Sequence, residues 1–362
     1  MKKGMLIMDR YIIRKFLGTY VFTIALIIAI TIVIDVNQKI DNFIKTSPSL
    51  YAVIVDYYLN FIPYFINLFS PLFVFIAVIF FTSKMAENSE IIALMSSGLN
   101  FRRMMRPYMI AAAVIAILTF IINSFVIPPG NVRRIEFENR YVRNRSVDYA
   151  SNIQLKVEPG IIAHFNSFDN NTRRGRGFSL ERFEGKQLVS RLTAKEIFWD
   201  SLYRWHVNDY MIRNFAGMKE VIASGERLDT TLAIVPSDFL ISVHDSEQLT
   251  TPHLKAYIDR QKQRGIGNNI QLFEIEYHRR FAMSFAAFIL TIIGVSLSSR
   301  KVKGGMGLNI GIGMGLSFSY ILFLQVSSTF AISGMVSPPV AVWIPNMLFV
   351  VIAVWLYNKA PR

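Results

Sequence analysis

The chain has 362 residues, of which 52% are hydrophobic and 18% are charged, and it contains 29 phenylalanines. This composition is too apolar for one soluble domain and too charged for membrane helices alone, so it predicts a membrane protein with a water-soluble part. The absence of cysteine excludes disulfides, cysteine-ligated metals and a thiol nucleophile.

The net charge of +14 is unevenly distributed along the chain. Residues 130–265 contain 21 Lys and Arg against 17 Asp and Glu, whereas the rest of the chain contains 18 against 8. Most of the excess therefore flanks the apolar segments. This pattern is typical of basic loops that contact anionic lipid head groups, and it argues against a nucleic-acid partner.

Six apolar stretches are long enough to cross a hydrocarbon core about 30 Å thick. Six crossings place both termini on one side. A polytopic α-helical protein with six transmembrane helices follows, arranged as three before and three after a long insertion. The predicted spans are Phe16–Ile34, Tyr58–Thr82, Met105–Ile127, Phe281–Leu297, Leu308–Ile332 and Val340–Tyr357.

The basic residues of the short loops predict the orientation of these spans. They lie on the same side as the basic N-terminus, which the positive-inside rule places in the cytoplasm. Both termini are then cytoplasmic and the insertion is exported. The residues concerned are Arg102, Arg103, Arg106, Arg300, Lys301, Lys303, Lys359 and Arg362.

The insertion, predicted as a domain over residues 131–268, has the pattern of short β-strands. Its strand-like runs are separated by turn residues, which favours an all-β sandwich or jelly roll. A linker helix over Leu249–Arg264, ended by Gly265, is predicted to lead into the last three spans, in residues 269–362. The runs are Gln154–Val157, Ile161–Phe165, Gly177–Phe183, Gln187–Leu192, Glu196–Trp199, Arg204–Val207 and Asp209–Phe215.

The sequence offers little sign of catalytic chemistry. It contains no G-x-x-x-x-G-K-[ST] phosphate loop, and its five histidines show no metal-binding spacing. We therefore expect no enzymatic activity, no metal and no bound cofactor. The predicted spans carry amides and hydroxyls rather than carboxylates, which disfavours an ion-coupled transporter.

Two local patterns indicate contacts with other proteins. Within residues 1–130, the segment near residues 87–98 reads as a short cytoplasmic helix with a Ser89 cap and a Gly98 stop. It is either an interfacial anchor or a docking element for an ATPase subunit. In the fifth span, Gly307, Gly311, Gly315 and Ser319 share one face, which serves either ordinary packing within the chain or a changing contact with another subunit.

The whole chain resembles the LptF/LptG family, the permease halves of the ABC transporter that extracts lipopolysaccharide from the inner membrane. The resemblance rests on Asp9-Arg10-Tyr11-Ile12, on Ser89-Glu90 to Gly98, on Phe281-Ala282 to Gly294-Val295-Ser296-Leu297, and on the three-plus-three layout. It leans toward the LptG half. It implies a periplasmic β-jelly-roll domain and a second permease subunit, which is either a copy or a relative. It also implies a dimeric cytoplasmic ABC ATPase that binds the ATP and magnesium, and periplasmic β-jelly-roll bridge proteins that receive the lipid.

The resemblance also implies roles for particular residues. The cytoplasmic helix would couple to the ATPase through Ser89, Glu90, Leu94 and Gly98, with Glu90 as the pairing carboxylate. Head-group cations would be Lys39, Lys45, Arg133, Arg134 and Arg140, although Asp35 and Asp41 interrupt the lysines that follow the first span. A lateral gate and cavity wall would include Phe22, Ile24, Ile28, Gly311, Gly315, Leu316, Ser319 and Phe323.

One alternative function comes from a different class. The same layout would suit a non-transporting membrane scaffold or sensor, whose periplasmic β domain binds a ligand and whose cytoplasmic helix recruits a partner. Such a protein would need no lateral opening.

Overall fold

The computed structural model describes residues 7–142, 149–169, 172–217, 219–236, 243–263, 270–300 and 305–360. These residues form two compact units, a helical one (Met1–Val142, Glu247–Thr251 and Gln271–Arg362) and a β one (Arg143–Ser246 and Pro252–Ile270). Lys301, Lys303, Arg362 and the predicted helix stop at Gly265 lie outside the described residues.

Six described helical segments are long and apolar enough to cross a membrane, which confirms the predicted number and the three-plus-three order around the sheet. They are Ile7–Thr46, Ser70–Glu87, Phe101–Val142, Ile270–Ser298, Gly307–Ile332 and Pro338–Lys359. The helices are α1 (Ile7–Thr46), α2 (Leu59–Leu68), α3 (Ser70–Glu87), α4 (Glu90–Ser96), α5 (Phe101–Ile121), α6 (Ile127–Phe137), α7 (Val243–Gln248), α8 (Thr251–Gln263), α9 (Ile270–Ser298), α10 (Gly305–Ile332) and α11 (Pro338–Lys359). Short π-helical segments occupy Ala52–Tyr58, Ile122–Val126 and Glu138–Val142.

The second span begins later than the sequence predicts. The predicted segment Tyr58–Thr82 is divided at Phe69, where α2 ends and α3 begins. Pro71 lies in the first turn of α3, the helix position that tolerates a missing backbone N–H. The hydropathy of the sequence could not reveal this break, because the segments on both sides of Phe69 are apolar.

The core of the helical unit is built around α3, which packs against α1 and α10. Its buried side chains include Phe73, Phe75 and Val78. Two glycines permit the close approach of neighbouring helices. A Cβ at Gly294 of α9 would overlap Val78, and one at Gly313 of α10 would overlap Ile79. Small residues let helix backbones approach closely in membranes, where van der Waals packing drives helix association.

The β unit contains one antiparallel sheet whose strands follow one another in the order β1 to β6. The predicted all-β insertion is therefore confirmed. The strands are β1 (Tyr149–Glu158), β2 (Ile161–Asp169), β3 (Arg174–Glu184), β4 (Gln187–Ser201), β5 (Arg204–Ala216) and β6 (Lys219–Thr231). Buried aromatic side chains from three neighbouring strands, Phe165, Phe178 and Trp205, pack in its core.

Three details of the strand prediction were wrong. The runs Gln187–Leu192 and Glu196–Trp199 belong to the single strand β4, and Arg204–Val207 and Asp209–Phe215 belong to β5. Each of these strands stays continuous across the less apolar residues between the runs because it pairs with a neighbouring strand on both sides. The sequence analysis also missed β6, which is an edge strand with mostly exposed side chains and so lacks the alternation of a half-buried strand.

The packing of α9 on α3 generates a stability prediction. Gly294→Val should destabilise the purified chain by about 1–3 kcal/mol, because the added side chain must displace Val78 in a close-packed core. The measurement is detergent-induced unfolding followed by circular dichroism. Gly311→Val is the matched control, since nothing lies within 4 Å of a Cβ at Gly311. Equal destabilisation by both variants would contradict this account of the core.

Candidate functional site

The short helix α4 lies between the ends of α3 and α5 and leaves most of its side chains exposed or half-buried. Ile91 is buried and anchors it to the helical core. Its end is well defined: Gly98 has φ +86°, Gly98 N–H donates to Met95 O at 3.0 Å, and Leu99 N–H donates to Leu94 O at 3.3 Å. These two bonds form a Schellman motif. Gly98 therefore stops the helix as predicted.

The start of α4 differs from the prediction. Ser89 makes no side-chain cap hydrogen bond and instead adopts φ +61°, a left-handed conformation. The predicted serine cap was therefore wrong. The tight turn from α3 into α4 requires this backbone conformation, since Ser89 N–H donates to Ala86 O at 3.1 Å.

Glu90 connects α4 to the beginning of α1. One carboxylate oxygen accepts from Tyr11 Oη at 3.3 Å, and the other accepts from Asn88 Nδ2 at 3.2 Å. Tyr11 and Glu90 are 79 residues apart in sequence. The sequence analysis singled out both segments but did not pair them, because no short-range pattern links them.

Asp9 connects the beginning of α1 to α5. Both of its carboxylate oxygens accept from the Arg103 guanidinium, each at 2.7 Å. Such bidentate charge-assisted bonds are short and strongly directional. Three residues further on, Ile12 is fully buried in the helical core. The Asp9 to Ile12 motif therefore attaches α1 to α4, α5 and the core at once.

The residues predicted for a lateral gate lie on α1 and α10. Phe22 is 67% exposed and Phe323 is 47% exposed. Ile24, Ile28, Leu316 and Ser319 are partly exposed. A Cβ at Gly311 or Gly315 would meet no atom within 4 Å. Gly311 and Gly315 therefore make no close helix contact within the described part of the chain.

Two of the five predicted head-group cations are engaged with the chain itself. Lys39 Nζ lies 2.8 Å from an Asp35 carboxylate oxygen, contacts the Tyr57 hydroxyl and sits 4.2 Å from the centre of the Tyr57 ring. Arg134 is buried, pairs with Glu138 at 3.3 Å and stacks over Tyr64 at 4.1 Å.

The other three predicted cations, Lys45, Arg133 and Arg140, have exposed side chains. Thr46 Oγ1 donates to Tyr141 O at 3.2 Å, so the segment that carries Lys45 lies beside the segment that carries Arg140. The structure thus brings two of the predicted cations to neighbouring segments of the helical unit.

A buried charge cluster at the start of α9 was missed by the sequence analysis. Arg280 Nε donates to Glu276 at 3.0 Å and its Nη1 donates to Thr251 Oγ1 at 2.9 Å. Arg279 contacts Glu276 and lies 3.4 Å from Glu247. The sequence feature that could have predicted this cluster is the four-residue spacing of Glu276 and Arg280, which places opposite charges on one helix face. It was overlooked because these residues precede the apolar run.

Within the described ranges, no group of three or more His, Asp or Glu side chains is arranged to hold a metal ion. The candidate site consists of the exposed apolar faces of α1 and α10, the exposed cations and the α4 helix.

The Asp9 to Arg103 contact leads to a second prediction. Asp9→Asn and Arg103→Gln should each lower the free energy of unfolding, and Arg103→Gln should lower it more, because it leaves the buried Asp9 carboxylate without its partner. The double variant should cost less than the sum of the single variants, which a double-mutant cycle measured by unfolding in mixed micelles would show.

Arg102→Gln is the control for this cycle, because Arg102 is the exposed neighbour of Arg103 on the same helix. It should change stability by no more than about 0.5 kcal/mol. Strict additivity of the Asp9 and Arg103 substitutions would show that the contact does not stabilise the protein.

Comparison with known families identifies the chain. The family model described as lipopolysaccharide export system permease LptF/LptG matches residues 10–359. Comparison with curated proteins finds no match. The family match covers nearly the entire chain, including the six apolar helices and the sheet, so the protein is a multi-pass inner-membrane component of a transporter. The chain belongs to the LptF/LptG family of lipopolysaccharide export permeases.

Proposed function

We propose that this chain is one permease half of an ATP-driven transporter that moves lipopolysaccharide out of the inner membrane through a lateral opening. The observation that carries the proposal is the exposure of apolar faces on α1 and α10, both of which pack against α3. A second permease subunit, either a copy or a relative, would supply the facing helices. The opening would form where α1 of one subunit meets α10 of the other.

ATP hydrolysis would come from a dimeric cytoplasmic ABC ATPase, which holds the nucleotide and magnesium. The exposed α4 helix supplies a surface for this partner, with Glu90 in its first turn and the half-buried Leu94 one turn later. A carboxylate there can accept a charge-assisted hydrogen bond from a basic residue of the partner. The Tyr11 to Glu90 hydrogen bond joins α4 to α1, so a displacement of α4 would be transmitted to a gate helix.

The lipid would contact two kinds of surface. Its phosphorylated head group suits Lys45, Arg133 and Arg140, whose side chains are exposed, while its acyl chains suit the apolar faces that include Phe22 and Phe323. Lys39 and Arg134 would instead maintain the shape of this region through their contacts within the chain.

The β unit would pass the lipid to periplasmic bridge proteins. In the described sheet, β1 and β6 are the edge strands, and each pairs with one neighbour only. An edge strand can extend its sheet by pairing with a strand of another protein. This placement of the sheet follows from the positive-inside orientation, with both termini in the cytoplasm.

The coupling role of Glu90 is testable by substitution. Glu90→Ala should reduce ATP-dependent lipopolysaccharide export by about tenfold or more, because the ATPase partner loses a charged contact, while ATP hydrolysis persists. The free energy of unfolding should fall by no more than about 1 kcal/mol, since the two hydrogen bonds lost within the chain are exposed. The measurement is lipid release from proteoliposomes beside phosphate release. Glu87→Ala removes the same charge three residues earlier and should retain export. A normal export rate in Glu90→Ala would remove Glu90 from the coupling contact.

The lateral opening is testable by photo-crosslinking. A photoreactive phenylalanine analogue in place of Phe323 should crosslink both to lipopolysaccharide and to the second permease subunit, because this side chain is exposed on α10. The same analogue in place of Phe349, which is 1% exposed, should give neither product. Crosslinking to phospholipid alone, with no subunit and no lipopolysaccharide adduct, would favour the scaffold or sensor alternative.

A further inference from the structure

A groove with a basic rim runs along one face of the first half of α1. Its volume is about 730 Å³, within the usual range for small-molecule and lipid sites. The rim consists of Arg10, Arg14 and Lys15, and the apolar end is formed by Phe22 of α1 and Phe80 of α3. None of the predicted head-group cations or coupling residues belongs to this cationic rim.

The three cations of the rim are exposed. Among the residues that the structure describes, none of the three has an ion-pair partner within 4 Å. The neighbouring carboxylates are engaged elsewhere, because Asp9 binds Arg103 and Glu90 accepts from Tyr11 and Asn88. Three unneutralised cations beside an open cavity are suited to an anion. Arginine matches a phosphate geometrically, since its planar guanidinium can donate two parallel hydrogen bonds.

The floor of the groove is Gly18, which lies one helical turn from Arg14 and one from Phe22. Nothing lies within 4 Å of a Cβ built at Gly18, so the missing side chain leaves the cavity open. Arg14 and Phe22 are eight residues apart on one face, which corresponds to about 12 Å along the helix axis. The groove therefore presents charge at one end and aromatic apolar surface about 12 Å away. An amphiphile with an anionic head and an acyl chain matches this spacing.

A second permease subunit is a poorer fit to the rim than an anionic lipid. The segment of this chain that leads into α10 contains Arg300, Lys301 and Lys303. A copy of the chain that placed this end of α10 against the α1 rim would oppose cations with cations, which is unfavourable. The charge complementarity favours an anionic membrane lipid.

We propose that the α1 groove is a binding site for an anionic glycerophospholipid, with its phosphate held by Arg10, Arg14 and Lys15 and an acyl chain lying over Gly18 toward Phe22 and Phe80. The leaflet is the cytoplasmic one, which rests on the orientation in the proposed function. Binding itself does not depend on transport. Tyr11 also lines the groove and donates to Glu90, so an occupied site contacts the side chain that meets the coupling helix.

The test measures lipid retention by the full chain. The purified protein is placed in nanodiscs of three parts phosphatidylcholine to one part phosphatidylglycerol, and the lipids that stay bound after transfer to detergent are counted by native mass spectrometry. The variant is Arg10→Gln/Arg14→Gln/Lys15→Gln. Each basic residue near an anionic lipid surface contributes a factor of about five in affinity. Phosphatidylglycerol retention should therefore fall at least about tenfold, with no change for phosphatidylcholine.

Two further variants separate a built site from diffuse charge. Lys84→Gln/Arg102→Gln/Arg106→Gln removes the same charge from other exposed residues at this end of the helical unit and should retain phosphatidylglycerol. Gly18→Leu keeps every charge and adds an apolar side chain to the groove at a position where its Cβ meets no atom within 4 Å, so it should reduce retention as the rim variant does. Equal loss in the two glutamine triples, or full retention in Gly18→Leu, would overturn the proposal.

Two competition arms distinguish other occupants. Inorganic phosphate at millimolar concentration should not displace the lipid, and complete displacement would mean a soluble-anion site instead. Retention should also survive assembly with the second permease subunit and the ATPase, and its loss would show that the groove is a subunit interface. Because no arm requires ATP hydrolysis or export, failure here leaves the proposed function standing, and failure of the Glu90 experiment leaves lipid retention unaffected.

Discussion

The packing of α3 against both α1 and α10 determines which surfaces this chain can bury by itself. In its most apolar 18-residue window, α3 has 72% of its residues buried, whereas the corresponding window of α1 has 6% and that of α10 has 28%. The two helices thus use their inner faces on α3 and leave their outer faces to lipid or to another protein. A permease half that opens laterally needs such faces, because a gate contact must separate without breaking the core.

The core is strengthened by hydrogen bonds between helices, which matter more where no water competes. Tyr320 Oη of α10 donates to Asn346 of α11 at 2.8 Å, and Asn346 Nδ2 donates to Ala282 O of α9 at 2.9 Å. Asn309 of α10 donates to Ser83 of α3 at 3.1 Å. Polar groups inside a membrane are costly unless they are paired. These side chains therefore hold the last three spans to one another and to α3, which leaves the outer faces as the adjustable part.

Features governed by length and composition were predictable from the sequence. A bilayer demands about 20 apolar residues per crossing, so the number and order of spans could be read directly. Gly98 was predictable as a helix stop because only a residue without a side chain adopts φ +86° at little cost.

Features governed by tertiary contact were not predictable. The edge strand β6 forms because β5 offers it a row of backbone partners, not because its own residues alternate. Lys39 and Arg134 contact the rings of Tyr57 and Tyr64, which are distant in sequence, whereas their pairing with Asp35 and Glu138 follows a four-residue spacing that the sequence displays. Each contact with a residue distant in sequence, such as Tyr11 with Glu90, depends on packing that no local pattern encodes.

Successive residues in the first turns of α1 make contacts with different parts of the helical unit. The helical spacing of these residues explains how one segment can make all of these contacts. Asp9, Ile12 and Phe16 lie three and four residues apart and face inward, toward Arg103 and the core. Arg10 and Arg14 occupy another face, four residues apart, at the rim of the groove, and Tyr11 stands between the two faces against Glu90. A rotation of α1 about its axis would strain the Asp9 contact, move Tyr11 relative to α4 and change the groove together. Because one rigid helix carries these contacts, α4, the α1 groove and the outer face of α1 cannot move independently.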